Sequence, residues 1–183
     1  MSLHLVVGCM FSGKSSELIR IARRLETISE KYIVIKPTMD IRYSENKVST
    51  HDKVEHTCIV KENLVSLLGE KAYIEATHII IEEAQFFPDL EPFVLKAVDD
   101  DKKHVTVIGL DGDSYRNNFG QIHKLYPLCD SITKLKALCS VCNDGTSGIF
   151  SKKIVDSSES IDIQVLVGSI DTYMAVCRSC YLK

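Results

Sequence analysis

Apolar residues in the first part of the chain fall into short runs that alternate with segments of helical periodicity. Each run has the length of a buried strand, and the predicted strands are 3–7, 32–36, 78–81 and 104–110. The periodic segments predict helices over 14–29, 62–72 and 88–99. Residues 37–57 are polar and predict a loop or an irregular hairpin. Strands that alternate with helices are typical of a parallel sheet with helical crossovers, which predicts an α/β fold.

The pattern changes beyond residue 131, where helical periodicity gives way to strand-like pieces around two cysteine pairs. These pieces cover residues 131–138, 148–154 and 161–167. We therefore divide the chain near residue 138 into an α/β core, residues 1–138, and a small C-terminal unit, residues 139–183.

Composition and charge narrow the class of protein. The chain has 183 residues, with 22 Lys and Arg against 25 Asp and Glu, and this balance offers no broad basic surface for nucleic acid. No apolar run is long enough to span a membrane, and the first residues make a poor secretion signal. We therefore expect a cytoplasmic location. A reducing compartment disfavours disulfides as the role of the seven cysteines.

A glycine-rich segment follows the first predicted strand and opens the first predicted helix. It fits the pattern G-x-x-x-x-G-K-[ST], in which backbone N–H groups surround phosphate oxygens and the hydroxyl binds Mg²⁺. The lysine reaches the β- and γ-phosphates and stabilises charge on the transferring group, which makes Lys14 a predicted catalytic residue. The alternative is a glycine turn with an exposed lysine, but the flanking strand and helix favour a phosphate site. The predicted ATP-binding residues are Gly8, Cys9, Met10, Phe11, Ser12, Gly13, Lys14 and Ser15.

Two acidic residues, Glu82 and Glu83, follow the third predicted strand. The carboxyl ends of strands are where open α/β sheets place their chemistry. One carboxylate there could hold Mg²⁺ through water, and the other could orient or deprotonate a nucleophile. The alternative is a polar strand exit, which the phosphate site makes the weaker interpretation.

The C-terminal unit contains two Cys-x-x-Cys pairs, Cys139 with Cys142 and Cys177 with Cys180. Four thiolates suit tetrahedral Zn²⁺, and a closed four-cysteine shell leaves no open position for catalysis. We therefore predict a structural zinc that stabilises a segment with little core of its own. The alternative is redox chemistry, but a redox pair belongs at a helix start after a strand, and two pairs would be redundant.

Several segments taken together resemble the type II thymidine kinases, the zinc-containing family of animals, many bacteria and poxviruses. The resemblance covers nearly the whole chain and rests on GCMFSGKSSELIRIARR, DIRY with THD, EEAQFFPD, GLDGDSYRNNFG, and CSVC with VLVGSIDTYMAVCRSC. It implies a P-loop, RecA-like core with a small zinc-binding subdomain. It also implies Mg²⁺-dependent transfer of the γ-phosphate of ATP to the 5′-OH of thymidine, with deoxyuridine as a further acceptor, in nucleotide salvage for DNA synthesis.

The resemblance implies roles for individual residues. Glu83 matches the family's catalytic base, Ser15 and Glu82 would serve Mg²⁺, and Arg42 would stabilise charge near the 5′ end of the nucleoside. In the family a loop called the lasso, which matches residues 164–168 of this chain, holds the base largely through backbone groups, which can read the edge of thymine. For the apolar residues of this pocket, plain core packing is the alternative. The implied substrate-binding residues are Met10, Asp40, Phe86, Leu110, Ser114, Tyr115, Phe119, Gln164, Val165, Leu166, Val167, Gly168 and Tyr173.

This chain departs from the family's pattern at four places. Glu82 stands where the family has Asp, so either the water shell of Mg²⁺ shifts or this residue contributes less to the site. Ala84 stands where the family has Gly, which narrows the approach to the base. Ser114 replaces the aromatic residue that packs on thymine, so either the adjacent Tyr115 takes over or selectivity relaxes. Ser169 replaces the second glycine of the lasso. The phosphate-site lysine and the catalytic base are retained, so we expect activity.

Two other functions stay open at this stage. One is a zinc-containing P-loop ATPase that acts on nucleic acid, although acidic residues offset the basic ones in the C-terminal unit. The other is a relative of the kinases with weakened catalysis. The resemblance further implies a homotetramer and feedback inhibition by thymidine triphosphate. The charge balance and the absence of a long apolar run predict no nucleic-acid or membrane partner. For a viral protein, the expected location is the cytoplasm of the host cell.

Overall fold

A computed structural model describes residues 1–39, 47–49, 55–154 and 172–183. Its first eight strands are β1 (Ser2–Gly8), β2 (Tyr32–Pro37), β3 (Lys47–Ser49), β4 (Glu55–Thr57), β5 (Ile59–Lys61), β6 (His78–Ile81), β7 (His104–Leu110) and β8 (Ser131–Leu135). Six of them form one parallel sheet in the order β5-β2-β6-β7-β1-β8, and the backbones of β3 and β4 pair antiparallel. The predicted α/β fold is confirmed.

Both faces of this sheet are covered, so its inner strands are largely apolar on both sides. Helix α1 (Lys14–Thr27) covers one face, where its buried side chains meet alternate residues of four strands, namely Val6, Val34, Ile80 and Ile108. A larger cluster lies on the other face, beneath α2 (Lys71–Glu75) and α3 (Leu90–Leu95). Short 3₁₀ turns at Leu64–Leu67, Ala84–Phe86 and Ile122–Leu125 add to it. The layers hold the carboxyl ends of β1, β6 and β7 side by side.

The four predicted strands agree with the structure to within one residue at each end, and the first helix ends at Thr27. The predicted helix over 62–72 is wrong, because the chain there forms a 3₁₀ turn followed by α2. Gly69, a poor helix former, lies between these two pieces. The predicted helix over 88–99 is confirmed as α3, followed by a π-helical turn at Lys96–Asp100. The edge strand β5 was not predicted, since it has only three residues.

The C-terminal unit and the last two residues of the core before it form short antiparallel pairs. Strand β9 (Ala137–Leu138) pairs with β10 (Ser147–Gly148), and β11 (Phe150–Lys153) pairs with β12 (Tyr173–Val176). Helix α4 (Arg178–Tyr181) follows. The predicted piece over 131–138 divides into β8 and β9, and the piece over 161–167 lies outside the described residues. Among the described helices, none has the length and apolar character needed to cross a membrane.

A stacked pair of histidines, His78 and His104, lies at the amino-terminal ends of β6 and β7, opposite the phosphate loop. Their ring centroids are 4.6 Å apart. Burial, and next the nearby His104, lowers the pKa of His78 below its ordinary value of 6.5. The unfolded chain therefore binds more protons than the folded one as pH falls through that value. We expect the free energy of unfolding to decrease from pH 7 to pH 5, and to decrease less steeply in His78→Gln. Denaturant titrations across this range measure both slopes, and equal slopes would contradict this assignment.

Candidate active site

The loop between β1 and α1 has the geometry of a phosphate site. A Cβ atom on Gly8 would lie 2.6 Å from the carbonyl oxygen of Leu135, so only glycine lets β1 turn there beside β8. Gly13, just before α1, has a φ of +85°, a backbone conformation that favours glycine. Ser12 Oγ is buried and forms no hydrogen bond with the described part of the chain. An unsatisfied buried hydroxyl beside the start of a helix suits a phosphate oxygen.

Lys14 begins α1 and folds its side chain over the loop, where its Nζ donates a hydrogen bond to the carbonyl oxygen of Cys9 at 2.9 Å. Burial lowers the pKa of Lys14. Nearby groups oppose this shift, Glu83 most strongly, followed by the Cys9 thiol and then by Asp111 and Glu82. Asp111 follows β7 and also pairs with Lys134 at 2.8 Å. The phosphate loop therefore lies beside a cluster of carboxylates, as phosphoryl transfer with a divalent cation requires.

Ser15 and Glu82 connect the phosphate loop to the end of β6. The hydroxyl of Ser15 donates a hydrogen bond to Glu82 Oε1 at 2.6 Å, and Glu82 is buried. Oxygen atoms of a hydroxyl and a carboxylate are ligands that Mg²⁺ accepts, with water completing its shell. These two residues therefore fit the predicted magnesium site.

Glu83 stands at the turn after β6 in a left-handed conformation, with a φ of 46°. Such a backbone is uncommon for a residue other than glycine and often occurs at functional sites. Its Oε2 accepts a hydrogen bond from Gln85 Nε2 at 2.7 Å, and Gln85 Oε1 in turn accepts one from the backbone N–H of Leu110 at 3.1 Å. Gln85 is thus a buried positioning residue that sequence reasoning missed, although it lies within the EEAQFFPD segment.

The structure brings together part of the predicted nucleoside pocket. Phe86 and Phe119 pack edge to face with centroids 5.4 Å apart, and Tyr173 is buried. Met10, Leu110 and Ser114 are half-buried, whereas the side chain of Tyr115 is exposed. Asp40, Arg42, Gln164, Val165, Leu166, Val167, Gly168 and Ser169 lie outside the described residues. The departure at Ala84 lies in the core, because this residue is fully buried among the apolar residues beneath the sheet.

The four paired cysteines meet in the C-terminal unit. The Sγ atoms of Cys139, Cys142, Cys177 and Cys180 lie within 4.8 Å of one another. Backbone N–H groups, first that of Cys142, lower the pKa of the Cys139 thiol, and thiolates are the form that binds zinc. Three of the four side chains are buried in a small apolar cluster. The cluster fits a structural zinc ion.

Removal of one cysteine ligand tests this zinc site. We expect one zinc per chain in the wild type and a large loss of zinc in Cys142→Ser. Because this unit has little apolar core, loss of the metal should lower the melting temperature by about 10 °C. Metal analysis and a thermal melt measure the two effects. Cys129→Ser, at a half-buried cysteine outside the cluster, is the matched control and should keep its zinc. Unchanged zinc content in Cys142→Ser would contradict the assignment.

Comparisons with known proteins agree with this geometry. The family model described as thymidine kinase matches residues 1–181. A thymidine kinase of Rabbit fibroma virus is 40% identical over 98% of this chain and 95% of its own length. "Thymidine kinase a" of Arabidopsis thaliana is 39% identical over 99% of this chain and 75% of its own length. A thymidine kinase of Porphyromonas gingivalis is 35% identical over 100% of this chain and 85% of its own length.

The match spans the phosphate loop, the acidic turn after β6 and the four-cysteine cluster, so the relatives are similar to this chain across its whole site and not only in its core. The predicted family is therefore confirmed: this chain belongs to the thymidine kinase family.

Proposed function

We propose that this protein transfers the γ-phosphate of ATP to the 5′-OH of thymidine and so makes thymidine monophosphate for DNA synthesis by nucleotide salvage. The observation that carries this proposal is the 2.6 Å hydrogen bond from Ser15 to Glu82, with Glu83 next to it. This bond joins the phosphate loop, at the carboxyl end of β1, to the acidic pair at the carboxyl end of β6. A phosphate donor and a base for the acceptor hydroxyl can therefore occupy one cleft.

Each residue of this cleft has a role in the proposed reaction. Glu83 takes the proton of the 5′-OH as that oxygen forms its bond to the γ-phosphorus, and the bond from phosphorus to the β,γ-bridging oxygen breaks to release ADP. Lys14 and the loop N–H groups stabilise the charge on the transferring group. Ser15 and Glu82 would hold Mg²⁺, directly and through water respectively, and the ion supplies further neutralisation of the phosphates.

The nucleoside side of the proposed site combines described and undescribed residues. We place the thymine ring near Phe86, Phe119 and Met10, with Leu110, Ser114, Tyr115 and Tyr173 around it, on the support of the half-buried aromatic pair. By resemblance to the family, Arg42 and Asp40 would serve the 5′ end, and the lasso, residues 164–168, would hold the base through its backbone.

Assembly, regulation and location rest on the same resemblance. We propose a homotetramer that is inhibited by thymidine triphosphate and acts in the cytoplasm. We also propose the division into a core, residues 1–138, and a zinc-binding unit with the lasso, residues 139–183. The four-cysteine cluster, which lies entirely in the second part, supports this division.

A panel of nucleosides tests the proposed function. The zinc-loaded protein is incubated with MgATP and either thymidine, deoxyuridine or deoxycytidine, and the monophosphates are separated and quantified. We expect turnover of thymidine and of deoxyuridine, with kcat/KM differing by about tenfold, because one methyl group in a pocket with Ser114 discriminates weakly. Turnover of deoxycytidine alone, or of no nucleoside, would contradict the proposal.

A further inference from the structure

The C-terminal unit contacts the phosphate loop directly. Ser151 on β11 is buried, and its Oγ accepts a hydrogen bond from the backbone N–H of Met10 at 2.9 Å. The thiol of Cys9 donates to the carbonyl oxygen of Gly148 at 3.4 Å, and Gly148 lies on β10, the strand just before β11. A P-loop works through the directions of its backbone N–H groups, so a side chain that holds one of them also sets the shape of the loop.

The same unit contacts the loop after β7, which contains predicted nucleoside-binding residues. The hydroxyl of Tyr181 donates a hydrogen bond to the carbonyl oxygen of Ser114 at 2.7 Å. The guanidinium carbon of Arg116 lies 4.6 Å from the centroid of the Tyr181 ring, a cation–π contact. Within the loop, Asp113 Oδ1 accepts hydrogen bonds from the N–H groups of Tyr115 and Asn117. The loop is therefore compact, and Tyr181 attaches it to α4.

Both hydrogen-bonding residues, Ser151 and Tyr181, lie on segments next to the cysteine cluster. Tyr181 immediately follows Cys180, and β11, which contains Ser151, pairs with β12, the strand that leads into Cys177. Lys152 Nζ donates to the carbonyl oxygen of Cys180 at 3.0 Å and joins the two segments. One small unit thus contacts the loops for both substrates.

We propose that Ser151 and Tyr181 are positioning residues, each for a different substrate. Ser151 acts through Met10 on the ATP loop, and Tyr181 acts through Ser114 on the nucleoside loop. This inference rests on the proposed function, because it assigns the two loops to ATP and thymidine. The C-terminal unit would then contribute to substrate affinity as well as to stability. This contribution comes from two hydrogen bonds, and each can be removed by a single substitution.

Two variants test the proposal, with KM from steady-state assays and Kd from calorimetry, using thymidine and a non-hydrolysable ATP analogue with Mg²⁺. Loss of one neutral hydrogen bond that preorganises a loop should weaken binding of its ligand about fivefold. We expect Ser151→Ala to raise KM and Kd for the ATP ligand about fivefold and to raise those for thymidine much less, because the lost bond holds the backbone N–H of Met10 and not the side chain that we place near thymine. Tyr181→Phe should do the reverse.

Tyr73→Phe is the matched control. Its hydroxyl donates a hydrogen bond to Asp101 at 2.6 Å, near the amino-terminal ends of the strands and away from both substrate loops. Loss of this bond should therefore change neither affinity. Zinc content and melting temperature are measured for all variants, because a general loosening of the unit would shift both affinities together. Equal shifts for both substrates, or no shift with zinc retained, would overturn the proposal. A wild type that binds the ATP analogue but makes no thymidine monophosphate would refute the proposed function instead, and Kd for the ATP analogue in Ser151→Ala would still test the first hydrogen bond.

Discussion

Glu83→Gln is expected to lower kcat for thymidine by about a thousandfold, with little change in either KM. The carboxylate lies at the turn after β6, near Lys14, and its orientation is set by the hydrogen bond from Gln85 Nε2 at 2.7 Å. Glutamine keeps the size of the side chain and has a similar shape but cannot accept the proton of the 5′-OH. The effect should therefore appear in turnover, which steady-state kinetics with both substrates varied will measure.

Glu62→Gln is the matched control for this variant, because Glu62 is exposed and the substitution removes the same charge. It should retain the wild-type kcat. Thermal melts should give Glu83→Gln the stability of the wild type, since its left-handed backbone is equally strained with either side chain. A Glu83→Gln enzyme with more than about a tenth of wild-type turnover would exclude this residue as the base.

Lys14→Met is expected to reduce kcat/KM for ATP by about a thousandfold. Methionine keeps the aliphatic part of the side chain but removes the ammonium group. In the wild type this group lies near the carboxylates of Glu83, Asp111 and Glu82. Loss of that charge weakens binding of the phosphates and removes the ammonium group that stabilises the charge of the transition state. The loss should fall on kcat as well as on KM for ATP, whereas KM for thymidine should change little.

The control is Lys71→Met on α2, where the side chain is exposed and forms a surface ion pair with Glu75 at 3.7 Å. It should match the wild type in both constants. If Lys14→Met lost affinity for ATP but kept its kcat, the lysine would bind the ground state only, and its assignment as a catalytic residue would be wrong.

Much of the site could be predicted because its signals are local in sequence. The phosphate loop, its flanking strand and helix, and the acids after β6 each occupy a few consecutive residues with a clear period or spacing. The cysteine pairs were predicted from spacing and chemistry alone, and their four Sγ atoms do converge. The failed helix over 62–72 shows the limit of periodicity, because Gly69 divides that segment.

The contacts that hold the site together could not be read from the sequence. Gln85 reaches Leu110, Ser151 reaches Met10, and Tyr181 reaches Ser114, each across a long separation in the chain. No local pattern encodes such pairs, because a glutamine, serine or tyrosine in a short motif can equally face water. The tertiary fold alone decides which backbone groups they meet.

The ratio of thymidine monophosphate to ADP formed by the zinc-loaded protein tests most directly whether this protein is a thymidine kinase. Both products are quantified over one time course at saturating MgATP, with and without thymidine. We expect equal amounts of the two products with thymidine present, and little ADP without it, because Glu83 acts on the 5′-OH of the bound nucleoside. ADP released without thymidine monophosphate, at the same rate whether or not thymidine is present, would contradict a kinase and indicate an ATPase.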